Sequence, residues 1–184
     1  MALREGHYRV GSQAGRLLVK TRRTGLGAKA GHDLTIEATV WDGSVIVSFS
    51  EPAKSSVRVE VDVDSLEVRE GTGGVKPLTD ADRADIKRTI REKILRTAQH
   101  PMIEFRSTRI GGSQESFDAD GDLTITGVAR PVTVRGSVGD NGRIRGRATV
   151  VQTQWGIKPY SAFLGTLKLA DEVAVEIDAM LRPD

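Results

Sequence analysis

The chain has 184 residues, 27 Lys and Arg against 25 Asp and Glu, a formal net charge of +2, and no cysteine. This composition excludes disulfides, thiol nucleophiles and thiolate metal sites, and the absence of like-charge blocks argues against a nucleic-acid partner. The length suits one domain, and an aromatic fraction of only 4% means that Val, Ile, Leu and Ala must build its core.

The first ten residues, MALREGHYRV, contain no apolar run of signal-peptide length. No other stretch approaches the roughly 18 apolar residues of a membrane span. We therefore expect a soluble, cytoplasmic protein, or a periplasmic or secreted one if a leader has been removed.

The first half of the chain alternates apolar and polar residues, which is typical of strands with one buried face. Strands are predicted at residues 17–23, 34–40, 45–49 and 56–63. Dipeptides that favour tight β-hairpins occur at three places, namely Asp42-Gly43, Asp120-Gly121 and Asn141-Gly142. Each is predicted to join two neighbouring strands of an antiparallel meander.

One helix is predicted at about residues 80–97. Thr79 is its N-cap, and Asp82 completes a variant of the capping box. Ile86, Ile90 and Ile94 recur at i, i+4 spacing and give the helix a narrow apolar ridge. The helix is therefore expected to lie on the protein surface with this ridge facing inward.

The second half returns to strands, predicted at residues 103–109, 115–119, 123–126, 132–138, 143–151 and 166–181. Eight or more antiparallel strands around one helix argue against a doubly wound sheet and favour a barrel or a sandwich. The pattern alone does not choose between these two.

Catalytic and metal sites have few candidate residues, because the only histidines are His7, His32 and His100. His32 and Asp33 could join a serine in a hydrolase triad, but no Gly-x-Ser-x-Gly motif is present. We favour a structural role for both at a strand entrance. The histidine spacing matches no common zinc site. We therefore assign no catalytic residue, no metal and no cofactor.

Three segments together resemble one family: HPMIEF at residues 100–105, GDLTITGVARPV at 121–132 and WGI at 155–157. They are similar to the YceI family of polyisoprenoid-binding, lipocalin-like proteins. The resemblance extends over nearly the whole chain, and the middle segment is its most specific part.

The resemblance implies an all-β fold with one inserted helix. It would be an eight-stranded antiparallel lipocalin-like β-barrel, with the helix at about 80–97 near its rim and residues 1–184 in a single domain. The apolar interior would hold an isoprenoid quinone, a polyisoprenoid or a related long-chain acyl lipid. A homodimer is also expected from the resemblance.

The phase of the predicted strands indicates which side chains would form the barrel wall and contact such a lipid. Ordinary core packing is the competing explanation for each of them. The predicted wall residues are Ile36, Val59, Val61, Ile103, Phe105, Leu123, Ile125, Val134, Phe163 and Leu167, with Trp155 near the mouth.

The expected function is therefore non-enzymatic binding, transport or storage of a long apolar lipid. One alternative is a ligand-free interaction module that uses the helix or exposed edge strands. Another is a hydrolase or isomerase that acts on a lipid through His32 and Asp33. The basic end of the helix, Lys93 and Arg96, suggests transient contact with anionic membranes.

Overall fold

The structure, a computed structural model, describes residues 3–162 and 167–184. Most of these residues form antiparallel strands. In chain order, the strands are β1 (Gly6–Gly11), β2 (Gly15–Lys20), β3 (Arg23–Thr24), β4 (Asp33–Ala38), β5 (Trp41–Val47), β6 (Ser56–Asp62), β7 (Leu66–Thr72), β8 (Met102–Gly112), β9 (Phe117–Ile125), β10 (Val128–Val138), β11 (Arg143–Val151), β12 (Ser161–Ala162), β13 (Leu167–Leu169), β14 (Glu172–Met180) and β15 (Arg182–Pro183).

Twelve of the described strands form one strongly curled sheet, a half-barrel in the order β15-β1-β5-β6-β8-β9-β10-β11-β14-β2-β4-β7. The three short strands β12, β13 and β3 form a second small sheet. The predicted antiparallel, lipocalin-like fold with one inserted helix is confirmed. The large sheet has more strands than the predicted eight, and its strands β1, β7 and β15 correspond to no predicted strand.

Helix α1 (Asp80–Thr89) begins at the capping box predicted for Thr79 and Asp82, since each side chain accepts a hydrogen bond from the other's backbone N–H. The helix continues as one π-helical turn over Ile90–Ile94. It ends close to the predicted boundary, where Arg96 takes a left-handed φ of 48°. The wider π turn is a departure from the regular helix expected over 80–97.

Of the three dipeptides that were predicted to form turns, only one lies in a turn. Asn141-Gly142 lies in the loop between β10 and β11, as predicted, whereas Asp42-Gly43 lies inside β5 and Asp120-Gly121 lies inside β9. A Cβ atom on Gly121 would lie 2.6 Å from Phe105 Cζ, and one on Gly43 would lie 2.5 Å from the Arg58 carbonyl oxygen. These glycines permit close packing within strands rather than turns between them.

The predicted hairpin between residues 34–40 and 45–49 is also wrong, because β4 and β5 do not pair with each other. Strand β4 pairs with β2 and β7, while β5 pairs with β1 and β6. The chain turns at Thr39 and Val40, where Ser65 Oγ donates to the Val40 carbonyl at 3.2 Å and the Thr39 N–H donates to the Ser65 carbonyl at 3.1 Å. Because of this corner, the consecutive strands β4 and β5 lie in different parts of the sheet.

The turn between β9 and β10 lies instead at Thr126 and Gly127. Their φ angles are 50° and 76°, and the flanking residues Ile125 and Val128 are paired. Two successive residues with positive φ match a two-residue type I′ hairpin. This turn lies at the centre of the GDLTITGVARPV segment.

Candidate functional site

The concave face of the half-barrel and helix α1 enclose a cavity of about 560 Å³. Its wall is mostly aliphatic and aromatic, with a minority of polar side chains. The helix lies across the open side, where Ile86, Ile90 and Ile94 contribute the predicted apolar ridge to the cavity wall. Two ion pairs, Lys87 with Glu67 and Arg91 with Asp64, attach the helix to the segment around β7.

Strand alternation explains why the wall is apolar. In β6, Val57, Val59 and Val61 line the cavity, while Arg58 and Glu60 between them form an ion pair on the outer face. Because successive side chains of a strand point to opposite faces, one strand presents an apolar row inward and a charged row outward. The same pattern recurs around the sheet.

Most of the predicted wall residues come together around this cavity. Those that line it are Ile36, Val59, Val61, Ile103, Phe105, Leu123, Ile125 and Val134. Phe163 lies outside the described residues, and the structure describes only the backbone of Leu167, which begins β13. Contact of any of these residues with a lipid stays a prediction.

Trp155 differs from its predicted place near the mouth. It is 2% exposed, packs with Ile125, Val150 and Ile157, and is absent from the cavity wall that the described residues form. Its indole Nε1 donates to the Leu123 carbonyl at 2.8 Å. The indole therefore supports the wall from behind, because burying its N–H requires a hydrogen-bond partner.

Several wall residues were missed in the sequence. Val173, Val175 and Ile177 of β14 line the cavity, as do Val132 of β10 and Val150 of β11. Their alternation gave the same signal as in β6. The prediction selected only some of the alternating residues, whereas the curled sheet brings nearly every strand to the cavity.

We call the part of the cavity formed by β3, the segment before β4 and β13 the mouth, since these segments are joined by strand pairing and by the Arg23–Gly31 hydrogen bond. Its polar side chains are Arg23 on β3, His32 just before β4 and Lys168 on β13. Arg23 is held in place because its guanidinium donates to the Gly31 carbonyl. The mouth therefore offers hydrogen-bond donors, whereas the remaining wall is mostly apolar apart from side chains such as Thr89, Arg147 and Gln152.

His32 and Asp33 are engaged separately. The His32 Nε2 donates to the Lys76 carbonyl at 2.7 Å, whereas Asp33 Oδ1 accepts from the Arg23 backbone N–H at 2.8 Å. These contacts fit the structural role expected at a strand entrance. Within residues 3–162 and 167–184, no three His, Asp or Glu side chains are grouped as metal ligands.

The outer face carries the charged groups. Glu104 lies between Arg106 and Arg58, and hydrogen bonds from both guanidinium groups lower the pKa of its carboxyl to about 2. Arg143 lowers the pKa of Asp178 in the same way. Ion pairs that stabilise the ionised carboxylate explain both shifts, so neither marks a catalytic group.

Comparison with known proteins identifies the family. A family model described as the YceI-like domain matches residues 9–181. The chain belongs to the YceI family. It is 31% identical over 94 residues to protein YceI of Escherichia coli, a match that covers 51% of this chain and 43% of that protein. It is 25% identical to a UPF0312 protein of Pseudomonas aeruginosa over 64% of this chain and 60% of that protein. The chain thus spans only part of the length of these relatives.

Solved structures show the same fold. BcnA of Burkholderia cenocepacia matches with a TM-score of 0.63 and 18% identity, over 90% of this chain and 94% of that one. A polyisoprenoid-binding domain of Saccharophagus degradans matches with a TM-score of 0.61 and 10% identity, over 98% and 100%. In the part of this YceI-family chain that the structure describes, no helix has the length and apolarity needed to cross a membrane.

Proposed function

We propose that this protein binds a single long-chain isoprenoid lipid, such as a quinone or a polyprenol, with the chain in the cavity and the head group at the mouth. The observation that carries the proposal is the apolar cavity of about 560 Å³. Its volume is typical of sites that enclose a small-molecule ligand. The name of the Saccharophagus degradans domain, polyisoprenoid binding, supports the ligand class.

The cavity wall sets how selective this binding is. Side chains such as Val61, Ile125 and Val175 make no hydrogen bonds, so they discriminate only by the width, length and bend of the chain. A long-chain acyl lipid of similar shape should therefore compete with an isoprenoid. Discrimination between head groups would come from the donors at the mouth, Arg23, His32 and Lys168.

The free energy of burying the lipid chain favours reversible over irreversible binding. Burial of a twenty-carbon tail gains on the order of 16 kcal/mol relative to water, at about 0.8 kcal/mol per CH₂. A lipid that starts in a membrane has already realised that gain, so its transfer into the cavity is close to balanced. The protein would thus exchange its ligand with membranes and transport or store it.

The binding is proposed to occur without catalysis. The separate partners of His32 and Asp33 support this, since a base and its orienting carboxylate would share a hydrogen bond. The rival hydrolase or isomerase requires a turnover that His32→Ala removes. A cytoplasmic location and a homodimer stay predictions beside this proposal.

The test is mass spectrometry of an organic extract of the purified protein, with native mass spectrometry to count bound molecules per chain. We expect one isoprenoid or acyl species per chain, and re-addition of a polyprenol in detergent to an extracted sample should restore the complex. An empty protein that also takes up no added quinone or polyprenol, and gains no thermal stability from either, would refute the proposal in favour of a ligand-free interaction module.

A further inference from the structure

Three exposed apolar side chains lie on the segments that form the mouth of the cavity. Leu26 is 98% exposed, Val75 is 78% exposed and Tyr160 is 47% exposed. Single exposed apolar residues are common on soluble proteins, but a group of them around one opening requires an explanation.

Hydrogen bonds and strand pairing connect these segments. Leu26 follows β3 and precedes Ala30, which lines the cavity, and β3 pairs with β13 through Thr24 and Lys168. Lys168 pairs in turn with Ser161 on β12, directly after Tyr160, and the Leu169 N–H donates to the Tyr160 carbonyl at 2.9 Å. On the helix side, Val75 precedes Lys76, whose carbonyl accepts from His32. The three apolar residues therefore border one opening.

Cations accompany the apolar residues. Lys29, Lys76, Lys158 and Lys168 are exposed on these same segments. Among the described residues none of the four lies within 4.0 Å of a carboxylate partner, whereas other side chains form sixteen ion pairs. Their charge is therefore available to an external anion.

Acidic residues beside the mouth, at the start of β4 and on α1, are already bonded. Asp33 of β4 accepts the Arg23 backbone N–H at 2.8 Å and lies 4.0 Å from the Arg23 guanidinium. Asp80 pairs with Arg83 at 3.2 Å, and Asp85 pairs with Arg88. Asp82 accepts the Thr79 N–H at 2.9 Å in the capping box. None of these contacts involves Lys29, Lys76, Lys158 or Lys168.

We propose that the rim surface, formed by Leu26, Lys29, Val75, Lys76 and Tyr160, docks the mouth onto an anionic lipid bilayer. Apolar side chains that enter the interface while lysines contact anionic head groups are a recurrent mode of peripheral membrane binding. Docking in this orientation places the mouth against the bilayer. The inference rests on the proposed function for its purpose, but docking itself can be measured without any ligand in the cavity.

The test is co-sedimentation of the protein with vesicles of phosphatidylcholine that contain phosphatidylglycerol, and with vesicles of phosphatidylcholine alone. We expect stronger binding to the anionic vesicles, weakened by salt. The double substitution Lys29→Ala/Lys76→Ala should lower the partition coefficient roughly 30-fold, because each lysine near an anionic surface contributes about 1 kcal/mol. The matched pair Lys93→Ala/Arg96→Ala, at the basic end of the helix, should change it less than about twofold.

The apolar component has its own control. Leu26→Ser/Val75→Ser should weaken vesicle binding, whereas Val40→Ser/Phe49→Ser, at exposed sites away from the mouth, should not. Equal binding to neutral and anionic vesicles would overturn the proposal. So would an effect of Lys93→Ala/Arg96→Ala on vesicle binding as large as that of Lys29→Ala/Lys76→Ala. All these side chains lie outside strands or on the helix surface. Thermal unfolding checks that every variant is folded.

Polyprenol uptake from detergent, with no bilayer present, separates this inference from the proposed function. Rim variants should take up the lipid like the wild type. A wild-type protein that binds lipid in detergent but not anionic vesicles would refute docking alone. One that binds vesicles but takes up no lipid would refute the proposed function and leave docking intact.

Discussion

The two faces of the half-barrel are built by the same strands yet have opposite chemistry. In β6 the inner face presents Val57, Val59 and Val61 to the cavity, while Arg58 on the outer face donates to Glu104 at 3.0 Å. Residues that are neighbours in sequence therefore serve different purposes. The inner face of this strand offers a ligand apolar surface and shape, and the outer face carries carboxylates such as Glu104, whose pKa the neighbouring guanidinium groups lower.

The largest expected effect is on the inner face. Val61→Glu should reduce lipid retention about 100-fold or more, because an isolated carboxylate in an apolar site costs several kcal/mol. Val40→Glu, at a residue that is 56% exposed, is the matched control and should retain lipid. The measurement is lipid per chain by native mass spectrometry.

A variant without a buried charge covers the case in which Val61→Glu does not fold. Val175→Phe fills part of the cavity with apolar volume and should also reduce retention. Folded variants of both kinds that retain as much lipid as the wild type would place the ligand elsewhere.

The next effect tests close packing on the inner face. Gly121→Ala should lower the free energy of unfolding by about 1–3 kcal/mol, because the new Cβ would lie 2.6 Å from Phe105 Cζ and 2.4 Å from the Arg106 carbonyl oxygen. Gly111→Ala in β8 is the control, since its nearest neighbour is a side-chain atom 3.7 Å away. Denaturant unfolding compares the two, and equal stabilities would contradict this role of Gly121.

Trp155→Phe should have a smaller effect, a loss of about 1–2 kcal/mol in the free energy of unfolding. The substitution removes the hydrogen bond from the indole Nε1 to the Leu123 carbonyl and leaves that carbonyl without its donor. Lipid retention should change little, because Trp155 supports the wall from behind. Loss of retention without loss of stability would instead place Trp155 in contact with the ligand.

The smallest effect belongs to the outer face. The pKa of Glu104 lies at about 2, below its ordinary value of 4.5, so its ion pairs stabilise the folded state above pH 4.5 and that contribution disappears as the pH falls towards 2. Glu104→Gln should flatten the pH dependence of unfolding in this window and cost less than about 1 kcal/mol at pH 7, because the pair is solvent-screened. If Glu104→Gln left the pH dependence of the free energy of unfolding unchanged, the stabilising role of the Glu104 ion pairs would be contradicted.

The features predicted correctly are those that depend on interactions between residues close in sequence. The valine alternation of β6, the capping box at Thr79 and the turn at Asn141-Gly142 depend on residues close in sequence, and all three are confirmed. The family resemblance added the lipocalin-like fold, which alternation alone could not distinguish from a sandwich.

The features predicted wrongly depend on residues distant in sequence. In the sequence, Gly121 resembles a turn glycine. In the structure it lies within a strand, where Phe105 of the neighbouring strand packs against it. The corner at Thr39 and Val40 is fixed by Ser65, some 25 residues away. The helix isoleucines were identified as an apolar ridge, but only the curled sheet shows that this ridge faces a cavity rather than a filled core.

The most direct test of the account is photocrosslinking with a polyprenol that carries a diazirine at the end of its chain, followed by mass-spectrometric mapping of the labelled peptides. Binding of the chain in the cavity predicts labels on inner-face residues such as Val61, Ile125 and Val175, with competition by unlabelled polyprenol. Labels confined to the outer face, or labels that an excess of unlabelled polyprenol leaves unchanged, would contradict it.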